Sequence, residues 1–405
     1  MKRFYNMEFL KNFIGLSSIN VLGMLIPIIT MPFLSRVLGA DGYGIVLLFS
    51  SLSIFMLVII DYSTNITGVR DAAGNINDIA ELSRIYSKYQ RLRLILTLLY
   101  IPLALLYCHI YFHNMSLMFC LEVIFVSALG YYLTSPWFHQ GTSTLSFFSF
   151  STVSVRIIQV LLMFSLVKDS NDLETVIRLN AYAFLITGVT LYIFRKQRMG
   201  IIRVKERTPL INDFKEGFDA FLGEFSPNLY SNIPPLIIGA IVSPVIFACY
   251  SIALRIINIS GSFQSIAAKS LYPLVVKGTS TMRVLLLINL ILSAIPFLAI
   301  MFFGNEIIHL LLGSGYELAH AYLIICAPAL ILYSIICSFS YGFFLPKRLD
   351  SYFKKTSLFS SIIPAIIGYP LMHQYQVYGA LIMLLIARGL FVIMFVYYYL
   401  KVKNN

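Results

Sequence analysis

Four arginines stand inside apolar stretches, where an ionised side chain is expensive: Arg156, Arg178, Arg255 and Arg388. At the centre of a bilayer each costs roughly 2.5 to 3.5 kcal/mol on the insertion scale, so the set costs on the order of 10 kcal/mol unless water or a partner offsets it. Arg156, Arg255 and Arg388 lie about midway along their stretches, while Arg178 is near enough to an end to reach outward. The acids available in such stretches are fewer, Glu122 and Glu224. A surplus of positive charge therefore remains. Guanidinium forks match phosphate oxygens, so a water-filled cavity lined by these side chains would attract an anion. The competing account is that single arginines hold helices together through carbonyls or through Glu122 and Glu224, and it fits one of them better than all four. Glu224 suits either a structural partner or a carboxylate that couples transport to protons. Asp61 and Asp71 beside Arg70 point to ion pairing at a wet surface.

The stretches that carry these residues are membrane spans by composition, because 59% of the 405 residues are hydrophobic and 12% are charged, too apolar to cover a soluble surface. Crossing roughly 30 Å of hydrocarbon takes about 20 apolar residues. Twelve runs qualify: 13–34, 43–60, 92–112, 115–134, 145–167, 173–194, 217–241, 245–266, 284–303, 320–345, 355–372 and 377–400. The first run carries Pro27 and Pro32 and is followed by further spans rather than a small-residue cleavage site, so it reads as a span and not as a removable signal peptide. With the N-terminus inside, 24 of the 30 Lys and Arg fall on inner segments, four lie within spans, and Arg36 and Lys168 are outside. That asymmetry predicts an even number of spans with both termini in the cytoplasm. The net charge of +12 is thus mainly topology, with attraction to anionic membrane lipids second and nucleic-acid binding given little weight. In the inner segment 61–91, apolar positions from Ile76 to Tyr89 recur at helical spacing, so span three is expected to extend into an interfacial helix.

The basic stretch from Arg195 to Arg207 follows six spans and precedes six more. It predicts an N-terminal six-helix lobe over 1–200, a basic cytoplasmic linker over 201–216 and a C-terminal lobe over 217–405. Asn20, Pro27 and Tyr43 are echoed by Asn228, Pro234 and Tyr250 at offsets of 208, 207 and 207. Repeats that start on the same side are parallel, and transporters so built place their cargo between the halves. The expected fold is an all-α polytopic bundle of two parallel lobes around a central cavity. Pro27 and Pro234 inside spans read as bends of gating helices or as static kinks, with Asn20 and Asn228 beside them.

Enzymes that act on polyprenyl-linked sugars need a carboxylate or histidine cluster in a sizeable aqueous loop. The outer connections are short and hold none, so a transporter is expected rather than an enzyme. His109 and His113 share a helical spacing without an acid to complete a metal site, and the five cysteines sit in apolar runs without ligand spacing, so neither a metal nor a disulfide framework is expected. Gly313-Ser314-Gly315 reads as a turn.

Several blocks carry a family resemblance. They are Asn20 with Pro27 and the run Pro32 to Gly44, Asp61-Tyr62-Ser63, Trp137 to Gly141, and, in the second half, Asn228, Pro234, Tyr250 to Arg255 and Leu310 to Gly313 leading to Tyr316. The pattern resembles the polysaccharide-transporter branch of the multidrug/oligosaccharidyl-lipid/polysaccharide flippase superfamily, and within it the Wzx-type O-antigen flippases. Tyr62-Ser63 where the family has glycine, and His139 where it often has phenylalanine, depart from that pattern. The resemblance implies a two-lobe fold in the bacterial inner membrane with a cationic lumen. Its expected substrate-binding residues are Arg36, Arg156, Arg178, Arg255 and Arg388, and Glu224, Glu122 and Asp61 are its coupling or ion-pair candidates. The implied cargo is an undecaprenyl-diphosphate-linked oligosaccharide moved from the cytoplasmic to the periplasmic leaflet, with no cofactor, and with other O-antigen assembly proteins as possible partners. Two other functions compete. A multidrug antiporter of the same superfamily would place acids early in span one, yet residues 12–35 hold none. A membrane polymerase or glycosyltransferase working on the same lipid is the third.

Overall fold

Hydrocarbon offers no hydrogen bonds, so a spanning backbone must satisfy itself, and among the described residues this chain does so with helices alone. The computed structural model describes residues 2–112, 115–202, 204, 209–276 and 281–404, with the side chains of 2–22, 24, 25, 273, 350 and 404 outside that description. The chain packs as two compact units, Met1–Leu38 with Phe49–Phe225, and Gly39–Leu48 with Ser226–Asn405.

In the first unit α1 (Lys2–Asp61) is two helices joined at Gly39, whose φ of +70° and ψ of 177° are open to glycine because it lacks a Cβ. The break falls there and not at Pro27 or Pro32, which both sit in helix before the joint. α2 (Thr67–Gly74) is short, and α3 (Ile79–Tyr111) runs unbroken from the expected interfacial segment through the third apolar run. Asp78 starts α3 by accepting from the Ala80 and Glu81 amides, each at 3.0 Å, and Ser116 starts α4 (Leu117–Thr134) by accepting from Phe119 at 3.1 Å. Each side chain satisfies amides that the first helical turn leaves without partners. After α4 come α5 (Pro136–Gly141), α6 (Leu145–Leu166), α7 (Leu173–Gln197) and α8 (Leu210–Phe225). α4 and α7 touch backbone to backbone. A Cβ at Gly130 would run into the Leu185 backbone, and one at Gly188 into the Gly130 carbonyl, the small-residue contact by which membrane helices gain close packing.

The second unit holds the 39–48 segment and α9 (Asn228–Ser231), α10 (Ile233–Ile241), α11 (Pro244–Val276), α12 (Met282–Leu312), α13 (Glu317–Cys326), α14 (Pro328–Phe339), α15 (Asp350–Tyr375) and α16 (Val377–Asn404). Gly313 and Gly315, at φ of +83° and +93°, make the turn between α12 and α13. Phe339, Phe343, Phe344, Phe391 and Phe395 form an aromatic core where α14 meets α16.

Nine helical stretches among the described residues are long and apolar enough to cross a membrane. The twelve apolar runs reduce to these nine because 13–34 and 43–60 share the jointed α1, while 217–241, divided among α8, α9 and α10, and 355–372, in α15, are outside the set. Pro234 therefore stands in the first turn of α10, where a missing amide proton is tolerated, and does not bend a continuous helix. The boundary by packing falls after Phe225, so α8, half of it in the expected linker, belongs to the first unit.

Candidate functional site

The last four carbonyls of a helix have no amide to receive them. At the end of α4 these belong to residues 131–134, and two buried arginines take them. Arg93 on α3 donates from Nη2 to the Tyr131 carbonyl at 3.1 Å and from Nη1 to that of Tyr132 at 3.1 Å. Arg195 on α7 donates to the Thr134 carbonyl at 2.8 Å and also to the Leu133 carbonyl. Positive charge is favoured at a helix C-terminus, which makes this end of α4 a seat for two cations. Ser135 then turns the chain at φ of +46° into α5 and accepts from Arg93 at 3.0 Å.

Each arginine is held further. Arg93 Nη2 lies 3.3 Å from Asp61 Oδ1, and the other Asp61 oxygen accepts from the Tyr131 hydroxyl and, at 3.2 Å, from Asn65. Arg195 meets His139 Nε2 at 2.8 Å, while His139 Nδ1 and the Thr144 hydroxyl are 2.8 Å apart. Arg93 and Arg195 are 0% and 1% exposed. Both count as loop charges by sequence position, and both are core residues. The signal for Arg93 is faint but present: Tyr86, Gln90, Arg93 and Thr97 form a polar stripe at i, i+4, i+7 and i+11, a single face of α3 that is buried throughout. Asp61 is likewise not at a wet surface. Arg70 pairs with its neighbour Asp71 at 3.3 Å, and Asp61 is buried against Arg93.

α8 is tied to the same region. Arg91 meets Asp213 at 2.5 Å, Lys88 meets Glu216 at 2.6 Å, and the Tyr62 hydroxyl donates to the Phe214 carbonyl at 2.9 Å while its ring stacks on Phe221. Glu224, half-buried on the last turn of α8, lies within electrostatic reach of Asp61.

The remaining candidates divide by what they touch. Arg178 is flanked by carboxylates, with Nε 3.1 Å from both oxygens of Glu122 and Nη1 3.1 Å from Glu174. Three others meet no carboxylate among the described residues. Arg156 donates to Gln159 Oε1 at 2.8 Å and lies over the Phe184 ring, and Gln159 in turn reaches Asn180 at 2.7 Å. Arg255 donates to the Tyr43 hydroxyl at 3.3 Å. Arg388, 7% exposed, donates to the Ala329 carbonyl at 2.8 Å and lies over the Tyr333 ring. Arg36 is exposed near the end of the first α1 helix. Asn228 opens α9 and accepts from Asn232 at 2.5 Å, whereas the Asn20 side chain and His113 lie outside the described residues. His109 is exposed, and the five cysteines are buried with free thiols.

Comparison with known proteins adds three findings. The family model described as polysaccharide biosynthesis protein matches residues 9–279. Two relatives, both provisionally named O-antigen transporters, match nearly end to end. The one from Shigella dysenteriae is 21% identical over 95% of this chain and 98% of its own length, and the one from Escherichia coli strain K12 is 22% identical over 93% and 92%. Among solved structures, the lipid II flippase MurJ aligns with a TM-score of 0.72 at 11% identity, over 97% of this chain and 87% of its own. A eukaryotic MATE transporter aligns with a TM-score of 0.53 at 16% identity, over 98% and 96%. At these identities the structural likeness speaks for the fold.

Proposed function

The chain belongs to the polysaccharide biosynthesis protein family, and from that membership we propose that it is a flippase for lipid-linked, anionic oligosaccharide units. Its cargo is an undecaprenyl-diphosphate-linked O-antigen unit, moved from the cytoplasmic to the periplasmic leaflet of the bacterial inner membrane by alternating access. Both termini are cytoplasmic.

The observation that carries this reading is the set of Arg156, Arg255 and Arg388, three membrane arginines that meet only neutral groups among the described residues. Arginines that merely brace helices are neutralised, as Arg93 is by Asp61, or take helix-end carbonyls that no amide reaches, as Arg195 does. Three arginines left cationic in spans, at roughly 2.5 to 3.5 kcal/mol each, are sustained by a charged ligand and by the water that admits it. A diphosphate supplies several acceptor oxygens for such forks. Arg178 is set apart from this group, since Glu122 and Glu174 offset it. The names of the two relatives and of the flippase neighbour support the class of cargo.

The test is complementation. In a strain lacking the gene, Arg388→Ala or Arg255→Ala is expected to reduce surface glycan by at least about tenfold, the factor that corresponds to roughly 1.4 kcal/mol, while membrane abundance stays normal. Arg388→Lys is expected to restore part of the loss, because it keeps the charge without the fork. Full glycan display in both alanine variants would overturn the reading.

A further inference from the structure

A second polar site lies in the first unit, at the opposite end of α4 from the arginine-capped one. A cavity of about 520 Å³ opens between α4 and α7, lined by Glu122, Glu174 and Arg178 together with Met118, Leu121 and Phe125. Glu174 is the second residue of α7 and Glu122 the sixth of α4, so the charges sit about 8 Å or less from the helix starts. In a helix that crosses roughly 30 Å of hydrocarbon, residues this near the start lie toward the headgroup side. The apolar wall is a stripe at i, i+3 and i+7 of α4, and Met118 and Phe125 are 77% and 49% exposed.

The ion triad has both signs open to a visitor. Glu122 is occupied, accepting from Arg178 Nε on both oxygens and from the Tyr182 hydroxyl at 3.2 Å. Arg178 uses Nε and Nη1, and its Nη2 has no partner among the described residues. Glu174 receives Nη1 on Oε2, and its Oε1 has none. One free donor fork therefore stands beside one free carboxylate oxygen, and the side chains are 39% and 46% exposed. The geometry points to a binding site for the zwitterionic phosphoethanolamine headgroup of a membrane lipid. The phosphate meets Arg178 Nη2, the ammonium donates to Glu174 Oε1, and the acyl chains cover the Met118–Leu121–Phe125 stripe. A choline headgroup lacks the N–H that Glu174 would accept, and a glycerol headgroup lacks the ammonium that would pair with the Glu174 carboxylate. The apolar wall commits the site to a lipid rather than to the free headgroup. This inference stands apart from the proposed cargo, since none of its residues belongs to the unpaired arginine set.

The test is native mass spectrometry of the full chain in detergent, titrated separately with the palmitoyl-oleoyl forms of phosphatidylethanolamine, phosphatidylcholine and phosphatidylglycerol. The phosphatidylethanolamine complex is expected to form about tenfold more tightly than either other, the ratio of one charge-assisted hydrogen bond. Glu174→Gln, a near-isosteric change at an exposed helix start, should bring the three lipids within about twofold of one another while the melting temperature stays that of the wild type. Met118→Asn should weaken all three alike. Millimolar free phosphoethanolamine should not displace the lipid. Equal binding of the three lipids by the wild type, a preference that survives Glu174→Gln, or displacement by the free headgroup would each overturn the assignment.

Discussion

Arg93 and Arg195 in the first unit and Arg388 in the second are each at most 7% exposed, yet they meet different kinds of backbone. The first two donate to the terminal carbonyls of α4, which no helical amide can reach, and Arg93 adds the Asp61 carboxylate. Arg388 donates to Ala329, the second residue of α14, whose carbonyl already faces the amide of Tyr333 one turn on. In the second unit Gln264, Asn289, Ser334, Ser338 and Thr356 are fully buried, and among the described residues neither amide atom of Gln264 has a hydrogen-bond partner. One unit thus uses buried arginine to complete its fold, while the other keeps an arginine whose carbonyl partner the helix already satisfies. Helix position alone does not separate these roles. What the guanidinium touches does.

The largest effect that follows is at Arg93. Arg93→Met removes one partner of a buried pair and leaves the Asp61 carboxylate, among the described residues, with Tyr131 and Asn65, while the Tyr131 carbonyl keeps the Thr134 hydroxyl and that of Tyr132 keeps Gln90 and Ser135. Breaking such a pair costs about 3 to 5 kcal/mol. The variant is expected to fall to a small fraction of wild-type abundance in the membrane, measured by quantitative blotting, and Asp61→Asn combined with Arg93→Gln should recover part of that loss. Wild-type abundance of Arg93→Met would mean that the first unit does not depend on its buried charges, and the comparison would fail on that side.

Next in size, and opposite in sign, is Gln264. A buried polar group without a partner carries a penalty of about 1 to 3 kcal/mol. Gln264→Met removes two such atoms at similar volume, so the purified variant is expected to be more stable by about 1 kcal/mol, read as a raised Tm. A lowered Tm would show that the amide is hydrogen-bonded in the membrane.

Why part of this was legible from the residues alone and part was not follows from the same contrast. Charge in the middle of an apolar run stands out, so Arg156, Arg255 and Arg388 are visible, as is the pairing of Arg178 with Glu122 once both are known to be in spans. Arg93 and Arg195 are hidden because they lie at the inner ends of spans, where arginines that set topology are common and cannot be told apart by composition. For Arg93 the stripe of Tyr86, Gln90, Arg93 and Thr97 on one face of α3 marks the difference. Asp61 is misplaced for a related reason: Arg70 is near in sequence, but α3 brings Arg93 to it from 32 residues away. The Gly39 joint and the break from Ser226 to Asn232 are backbone events, and prolines drew attention away from them, since Pro27 rides in helix and Pro234 opens one. The MurJ-like fold was accessible through motif resemblance, because apolar runs fix the helices but not how they pack.

The smallest effect on stability is expected at Arg388, and it is the most informative. Arg388→Met gives up a charge-assisted hydrogen bond and a cation–π contact with Tyr333, together about 3 to 4 kcal/mol. It also removes a membrane charge worth roughly 2.5 to 3.5 kcal/mol in the other direction. The Ala329 carbonyl keeps its helical donor, so no orphan is left behind. The two sides cancel to within about 1 kcal/mol, and the variant should reach wild-type abundance and melt close to the wild type while displaying little surface glycan. The pair Arg93→Met and Arg388→Met therefore separates the units by one substitution in each. If Arg388→Met is lost from the membrane as Arg93→Met is, Arg388 belongs with the structural arginines, and the anionic cargo would rest on Arg156 and Arg255 alone.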